Sequence, residues 1–464
     1  MISGNESFDN SINTKKTQSF GITYPPIGLL YIAGSLELDD HDIIILDLNV
    51  EKNQKEKIKS LVNSVDAVGI SIHNNYTPYD SYNKDFIANY IKEIDNEIPI
   101  IIGGPYCKLL GKDSLKNINS ADICVISDGE FIINEIANSI QNQKSLKEIH
   151  GIYFWEKGKI VAGKKKELIK NIDKLPLPAR HLVKKYDYGK LGNYRIFKHP
   201  LTTVITSRGC PYKCKFCINR MLDNEEYRQR SVNNVLNEIN SLNGEYKTIM
   251  IGDNSFLSDK KHSEKILDGI IKNNLNFDIL IGGTRVDSYN NNLYKKMKRA
   301  GVKYISFGIE SGNQKVLDYY NKGTILSQII KAIEMADNFG FFTVGTVILG
   351  APFETLNDIN KTVNFIYSLP LDFVNFYPLS YIKNSVLWKE CVNKGLIEIN
   401  EGAVLSDKKR GLGNFYMNEL NDICYISTKK FYLRKKYLLK IFIKSLKQRN
   451  LFLISYLITH LNNY

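Results

Sequence analysis

The sequence predicts two α/β domains in series: a doubly wound parallel sheet, then a partial (β/α)6 barrel of the triosephosphate-isomerase type, with a mainly helical extension behind them. Three observations predict it. Short runs that are apolar almost throughout alternate with helix-length segments, as strands buried on both faces of a parallel sheet do. The alternation is interrupted once, around residues 145–195, and resumes with longer and more regular spacing. The 464 residues, 43% hydrophobic and 24% charged, suffice for two or three cored domains.

The first domain, residues 1–144, takes its strands from HDIIILDLN, AVGISIH, IPIIIGGP and ADICVISDG. Ligands of such sheets lie at the carboxyl ends of the strands. Those ends are marked by His73 to Tyr76, by GGPY at 103–106 and by SDGE at 127–130, where glycine admits a ligand to the backbone and equally serves a tight turn. The opening MISGNESFDNSINTKKTQ is polar and reads as strandless, so the strand expected at the sheet's centre is missing from this reading. Residues 145–195 read as a linker containing a small hairpin, GIYFWEKGKIVAG, and the stretch DKLPLPARHL.

The barrel, residues 196–385, takes strands from LTTVITS, TIMIGD, DILIGGTRV, YISFGIES, FTVGTVILG and DFVNFYPLS. Helical segments separate them, among them NNVLNEINSL, SEKILDGIIK, NNLYKKMKRAG and LSQIIKAIEMADNFG, the last two closing on glycine. Residues 386–464 are expected to form a helical, basic region that covers substrate.

The net charge is +13. From Ile423 to the end there are nine Lys or Arg and no Asp or Glu, and KKFYLRKKYLLKIFIKSLKQR places basic and apolar residues at roughly helical spacing. Such a helix either packs on the body with its lysines solvated, or docks on an anionic membrane surface or acidic partner. Nothing resembles a nucleic-acid motif. No N-terminal signal is visible, and LFLISYLITHL has about half the length a bilayer span needs, so a cytoplasmic location is expected. Cys107, Cys124, Cys391 and Cys424 are scattered without regular spacing, which argues against a disulfide framework.

The remaining thiols are different. RGCPYKCKFCIN places Cys210, Cys214 and Cys217 at C-x3-C-x2-C spacing, a few residues after the first barrel strand. Structural zinc takes four ligands, commonly as two close pairs, and no second pair exists. A four-iron cluster held by three thiolates leaves one iron open for an outside bidentate ligand. The amino and carboxylate groups of S-adenosylmethionine fit that role, and an electron from the cluster then cleaves its carbon–sulfur bond to a 5'-deoxyadenosyl radical.

C-x3-C-x-aromatic-C, with Phe216 as the aromatic residue, resembles the signature of the radical S-adenosylmethionine (radical SAM) superfamily. YRQRSVNNVLNEI, IGDNSF, GGTRVDSYNNNLYKKMKRAG, FGIESGNQKVLDYYNKG and VILGAPFET look like its cobalamin-binding branch. YPPIGLLYIAGSLE, GGPY and SDGE look like that branch's N-terminal cobalamin-binding domain, so the resemblance spans about residues 20 to 385. It implies a 4Fe-4S cluster on Cys210, Cys214 and Cys217, Phe216 beside the adenine, and Asp253, Arg285 and Glu310 around S-adenosylmethionine. Asp253 as a turn cap, or Arg285 and Glu310 as a mutual pair, are the plainer alternatives. Gly350 and Glu354 either bracket the adenine pocket or start the next helix. For cobalamin the resemblance implies Gly28, Ser71, Gly103, Gly104, Pro105, Gly129 and Glu130. No Asp-x-His-x-x-Gly motif supplies a cobalt ligand, as in the family's methylating members, and His73 and Tyr76 are either near the cobalt face or structural.

The expected function is a cobalamin-dependent radical SAM methyltransferase acting on an unactivated carbon of a natural-product or lipid-like substrate, small or carrier-bound, with flavodoxin or ferredoxin as electron donor. The alternatives are a cyclase, oxidase or rearranging enzyme of the anaerobic tetrapyrrole-cyclase type, and a sensor or scaffold without catalysis.

Overall fold

The computed structural model describes residues 1–3, 23–72, 82–191, 194–195 and 197–447. They divide into two compact units, one running to Asp187 and one from Tyr188 onward together with Thr23 and Tyr24.

The first unit is a seven-stranded sheet: β1 (Ile2–Ser3), β2 (Leu46–Asp47), β3 (Val68–Ser71), β4 (Ile100–Gly103), β5 (Ile123–Val125), β6 (Ile152–Glu156) and β7 (Lys159–Ala162). The order is β2-β1-β3-β4-β5-β6-β7, with the first five parallel and β6 and β7 antiparallel. Ile100 and Ile102 are wholly buried and Ile101 nearly so, as expected of a strand covered by helices on both faces.

Two readings are corrected here. The opening residues are not strandless: β1 pairs with β2 on one side and β3 on the other, Ile2 lying opposite both Leu46 and Ile70. Its two residues are too few to show either alternation or an apolar run. The α-ammonium of Met1 donates to the Ile44 carbonyl at 2.5 Å, and the Met1 carbonyl accepts from Leu46, which fixes the register. The hairpin is no mere connector either. Its first strand pairs with β5, Phe154 opposite Ile123, and Phe154 and Ile152 bury their side chains under that sheet edge.

In the second unit six parallel strands follow one another in sequence order: Leu201–Val204, Thr248–Ile251, Asp278–Arg285, Val302–Glu310, Phe342–Leu349 and Phe373–Pro378. The sheet is open, since the first and sixth strands each pair with one neighbour. Intervening helices cover it with apolar faces at helical spacing, such as Ile266, Leu267 and Ile270, or Leu293, Tyr294 and Met297. Burying each large aliphatic side chain of this kind contributes about 1.5–3 kcal/mol. Ser231 and Thr355 start two of these helices by accepting from the amides of Asn234 and Asp358.

The region expected to cover substrate splits in two. A hairpin, Ser380–Ile382 with Ala403–Leu405, and the helix Val386–Asn393 lie at the carboxyl end of the barrel strands, where Leu387 donates to the Lys215 carbonyl and Ser406 Oγ to that of Gly350. Helices Met417–Tyr432 and Lys435–Lys447 serve the sheet instead. Tyr432 Oη bonds both the amide and the carbonyl of Val374 at 3.1 Å, which closes the free edge of the sixth strand. Lys440 and Lys444 reach Asp372, just before that strand begins, at 3.0 and 2.5 Å. The second helix thus lies at the amino end, whereas the first runs along the edge from the turn after the fifth strand, where a Cβ at Gly350 would meet Leu420 at 2.4 Å, to Val374. The run LFLISYLITHL lies outside the described residues; among those described, no helix is long and apolar enough to cross a membrane.

Candidate functional site

At the carboxyl end of the first barrel strand the chain enters a long loop clasped at its base. Ser207 and Arg208 pair with Gln229 and Arg228, and Arg228 forms a buried ion pair with Asp223 at 2.6 Å. Gly209 has φ +81°, and a Cβ there would lie 2.0 Å from the Glu226 carbonyl oxygen, so only glycine fits the turn into the cysteines. Asp253, from the end of the second strand, fastens the same segment. Its Oδ1 accepts from the Thr206 amide at 2.7 Å, and its Oδ2 accepts from Thr206 Oγ1 at 2.5 Å and Ser207 Oγ at 2.6 Å. Asp253, for which a cofactor contact or a cap of its own turn is expected, places both oxygens on the segment that leads to Cys210.

Cys210, Cys214 and Cys217 are half-buried, whereas the other four cysteines are buried. The Cys217 amide donates to the Cys214 carbonyl at 3.2 Å, and the Phe216 ring packs edge-on against Tyr320, centroids 5.2 Å apart. Burial pushes all three thiols up, Cys217 to about 12. Against that, the Tyr212 amide beside Cys210, the Asn219 amide beside Cys217 and nearby cations favour the thiolates.

Among the described residues no three His, Cys, Asp or Glu side chains stand gathered as a finished metal site. The donor set nevertheless fits an iron–sulfur cluster. Three thiols within electrostatic reach of one another occupy one loop, backbone amides point at two of the sulfurs, and cations flank them. A thiol whose ionisation is resisted by burial becomes a ligand when a metal supplies the charge that water does not.

Arg285, at the end of the third strand, lies with its guanidinium carbon 3.9 Å from the centroid of Tyr212 and its Nη1 3.8 Å from Cys214 Sγ. Asp287 holds it through Nε and Nη2, and Nη2 also donates to the Lys322 carbonyl at 2.6 Å. Arg285 and Glu310 do not pair with each other. Glu310 pairs with Lys322 at 2.6 Å, both side chains under a tenth exposed. Its φ is +65°, unusual for a residue with a Cβ, at a register shift between the fourth and fifth strands.

Gly350, with φ +96°, and Ala351 donate their amides to Glu354 Oε2 at 2.8 and 2.7 Å. Glu354 therefore closes the turn after the fifth strand, and Thr355 starts the helix that follows. Glu354 Oε1 is buried without a hydrogen-bond partner, and burial raises this carboxyl to about 7 despite the two amides. Lys322, Tyr212, Asp287, Thr206 and Ser207 are the members that sequence reasoning missed. Lys322 has the plainest signal, a lysine inside the quoted FGIESGNQKVLDYYNKG, but nothing local marks it as buried.

In the first unit Ser3, Ser71 and Gly103 stand in register at the carboxyl ends of β1, β3 and β4. Gly104 has φ +99° and its Cβ would meet the Ile72 carbonyl oxygen at 2.8 Å; Pro105 then opens a short helix. Gly129 and the buried Glu130 begin the helix Gly129–Gln141. Asp128, just before them, takes Lys108 Nζ at 3.0 Å and the Ile169 amide at 3.2 Å, which ties the loops after β4 and β5 together. A Cβ at Gly28 would meet nothing within 4 Å, and one at Gly103 only Val125 at 3.8 Å. This rim of bare backbone fits a large flat group such as cobalamin. His73 and Tyr76 lie outside the described residues.

Residues 17–137 match the B12 binding domain and residues 204–366 the radical SAM superfamily. A protein of Pyrococcus horikoshii named as an uncharacterized methyltransferase is 29% identical over 426 residues, 90% of each chain. An anaerobic magnesium-protoporphyrin IX monomethyl ester cyclase of Rubrivivax gelatinosus is 24% identical over 369 residues, 76% of this chain and 64% of the cyclase. The solved structure of the cobalamin-dependent S-adenosylmethionine radical enzyme OxsB with aqua-cobalamin bound shares the fold, with a TM-score of 0.70 over 96% of this chain and 70% of that one at 18% identity.

Proposed function

We propose that this chain, which belongs to the radical SAM superfamily and carries a B12 binding domain ahead of its barrel, is a cobalamin-dependent methyltransferase acting on an unactivated carbon. The observation that carries the reading is the set of three half-buried thiols without a fourth protein donor among the described residues, at the carboxyl end of an open six-stranded barrel. When bound, the cluster supplies the electron that cleaves S-adenosylmethionine, and cobalamin supplies the methyl group.

The chain's own residues do the rest. Cys210, Cys214 and Cys217 hold the cluster, and Asp253 keeps their loop against the second strand through Thr206 and Ser207. Arg285 covers the loop from the third strand, fixed by Asp287 and stacked on Tyr212. Phe216, Glu310 and the Gly350–Glu354 turn complete the S-adenosylmethionine site, and burial of this end keeps water from a reactive intermediate. Gly28, Ser71, Gly103, Gly104, Pro105, Gly129 and Glu130 form the cobalamin rim. A small or carrier-bound substrate and a low-potential one-electron donor of the flavodoxin or ferredoxin type are the partners. The lysine-rich C-terminal helices belong to the barrel's own packing in this reading, so membrane contact plays no part in it.

The likeness to the protoporphyrin ester cyclase favours a second reading, radical cyclisation or oxidation without methyl transfer. The two part on product. With the protein loaded with iron, sulfide and hydroxocobalamin, methyl transfer yields S-adenosylhomocysteine together with 5'-deoxyadenosine. 5'-Deoxyadenosine alone, from protein that holds one equivalent of cobalamin, rejects methylation in favour of the cyclase-type reading.

A further inference from the structure

The wall beside the cysteine loop has an inner and an outer face. The turn after the helix Gln314–Tyr319 is laced to the loop: the Lys215 amide donates to the Tyr320 carbonyl and Asn321 Nδ2 to the Lys213 carbonyl, both at 2.9 Å. The helix Val386–Asn393 adds two more ties, the Leu387 amide to the Lys215 carbonyl at 3.1 Å and Glu390 to Lys215 Nζ at 3.0 Å. Lys322, in the same turn, is buried inward against Glu310, so the site described above lies on that side. Asn321 and Lys213 are exposed on the other.

The outer face is aromatic at its centre and cationic around it. Starting at Phe216, between Cys214 and Cys217, ring contacts run outward through Tyr320 and Tyr319 to Phe353, with centroids 5.2, 5.8 and 5.3 Å apart. Tyr319 and Phe353 are only half-buried, and Val386, which opens the neighbouring helix, is 44% exposed. Lys315 Nζ stands 4.4 Å from the Phe353 centroid, and Lys215 Nζ 5.8 Å from that of Tyr319. Lys213, Lys315 and Lys389 are exposed, Lys389 one turn on from Val386. The acids here are partnered: Glu390 with Lys215, Asp318 with Gln314 Nε2, and Asp358 with the Thr355 hydroxyl and Lys361. That leaves Lys213, Lys315 and Lys389 to set the sign of the face. Apolar rings bordered by charge of one sign are the pattern of a protein-docking surface, and a positive border selects an acidic partner.

We infer that this face, centred on Tyr319, Phe353 and Val386 and bordered by Lys213, Lys315 and Lys389, is where a small acidic one-electron carrier docks to reduce the cluster. The inference rests on the cluster reading above and names the entry point of its electron. The carrier gives up one electron, the cluster takes it, and no proton moves. Electron transfer through protein slows steeply with distance, so a donor has to reach the surface nearest the thiols, and Lys213 directly precedes Cys214. Encounters of this kind bury little area, and opposite charge supplies their rate.

The test mixes the full-length, iron-reconstituted protein with a reduced flavodoxin and follows cluster bleaching by stopped-flow absorbance. Photoreduced 5-deazariboflavin, a small uncharged reductant that needs no docking, is the comparison. Lys213→Glu, Lys315→Glu and Lys389→Glu combined should slow reduction by flavodoxin about tenfold or more at low salt and leave reduction by deazariboflavin unchanged. The same reversal at Lys261, Lys265 and Lys295, exposed on outer helices of the barrel, alters net charge equally and should cost far less. Added salt should slow flavodoxin alone. Carbodiimide coupling of oxidised flavodoxin to the protein, with or without iron, should place cross-links on Lys213, Lys215, Lys315 or Lys389. Cross-links elsewhere, equal slowing by the two triple variants, or a flavodoxin rate indifferent to salt overturn the inference. So does a first triple variant that slows both reductants alike, since its lysines then serve the cluster and not docking. Should that variant not fold, the salt dependence and the cross-links still decide it. An unaltered protein that takes up no iron overturns the cluster reading itself, and the cross-links then decide the docking face separately.

Discussion

The two ends of the barrel bury charge in opposite ways. At the amino end Asp372, wholly buried, receives Lys440 and Lys444 together with the amide of Thr343, and Lys444 also donates to the Phe341 carbonyl. The lysine bonds tie a C-terminal helix to the sheet, and the Thr343 amide ties Asp372 to the fifth strand. At the carboxyl end Arg285, Glu310, Lys322 and Glu354 are likewise buried, yet Glu310 holds a left-handed backbone, and Glu354 Oε1 and Tyr320 Oη have no hydrogen-bond partner. One end uses buried charge to cross-link a fold. The other sets a left-handed backbone at Glu310 among its buried charges, as the functional face of such a barrel can; unmet hydrogen bonds do not separate the two ends, since Asp372 Oδ1 lacks a hydrogen-bond partner as well.

Serine in place of Cys210, Cys214 or Cys217 should break the comparison most sharply. Each removes a ligand with no substitute in the loop, so reconstituted iron should fall to background while circular dichroism and the melting curve stay near those of the parent. Iron retained at parental stoichiometry in all three variants would exclude the thiols as ligands.

Asp372→Asn should do the reverse. It leaves Lys440 and Lys444 against an uncharged group, and breaking a buried pair costs about 3–5 kcal/mol. Chemical denaturation should show that loss, whereas iron bound per folded molecule should not change. A variant as stable as the parent would mean that the amino-end network is surface electrostatics only.

A smaller effect sharpens the contrast. Burial raises Glu354 from 4.5 to about 7, so between those values the folded chain keeps a proton that the unfolded chain has released. Stability must then fall as pH rises through this window, by at most about 3 kcal/mol. Glu354→Gln cannot ionise and keeps an acceptor for the Gly350 and Ala351 amides, so its stability should be flatter from pH 5 to 8. Parallel pH curves for the two proteins would place the carboxyl in contact with water.

Much of this was legible without coordinates. The six barrel strands lie where the apolar runs place them, because a strand buried on both faces needs a continuous run, and each run is a local property of the chain. The cysteine loop was legible for a similar reason: its three thiols lie within eight residues. Asp253, Arg285 and Glu310 could be placed at strand ends, but their partners could not. Asp253 binds Thr206 and Ser207 nearly fifty residues earlier, and the choice of Lys322 over Arg285 as the partner of Glu310 depends on a turn whose position the cysteine loop fixes. The opening strand was missed because two residues carry no period. The destination of the hairpin was missed because strand alternation says nothing about which edge it joins.

The sequence by itself determined the order and type of most elements, the parallel character of the barrel and of β2 to β5, and the three-thiol cluster, since periodicity and close spacing are written along the chain. Only the tertiary structure decided which charges meet. It gave the first C-terminal helix to the edge of the barrel and the second to its amino end, Asp253 to the segment that leads into the cysteine loop, and Lys322 to Glu310. Burial makes an unpaired charge costly, and which partner meets it depends on how distant segments pack.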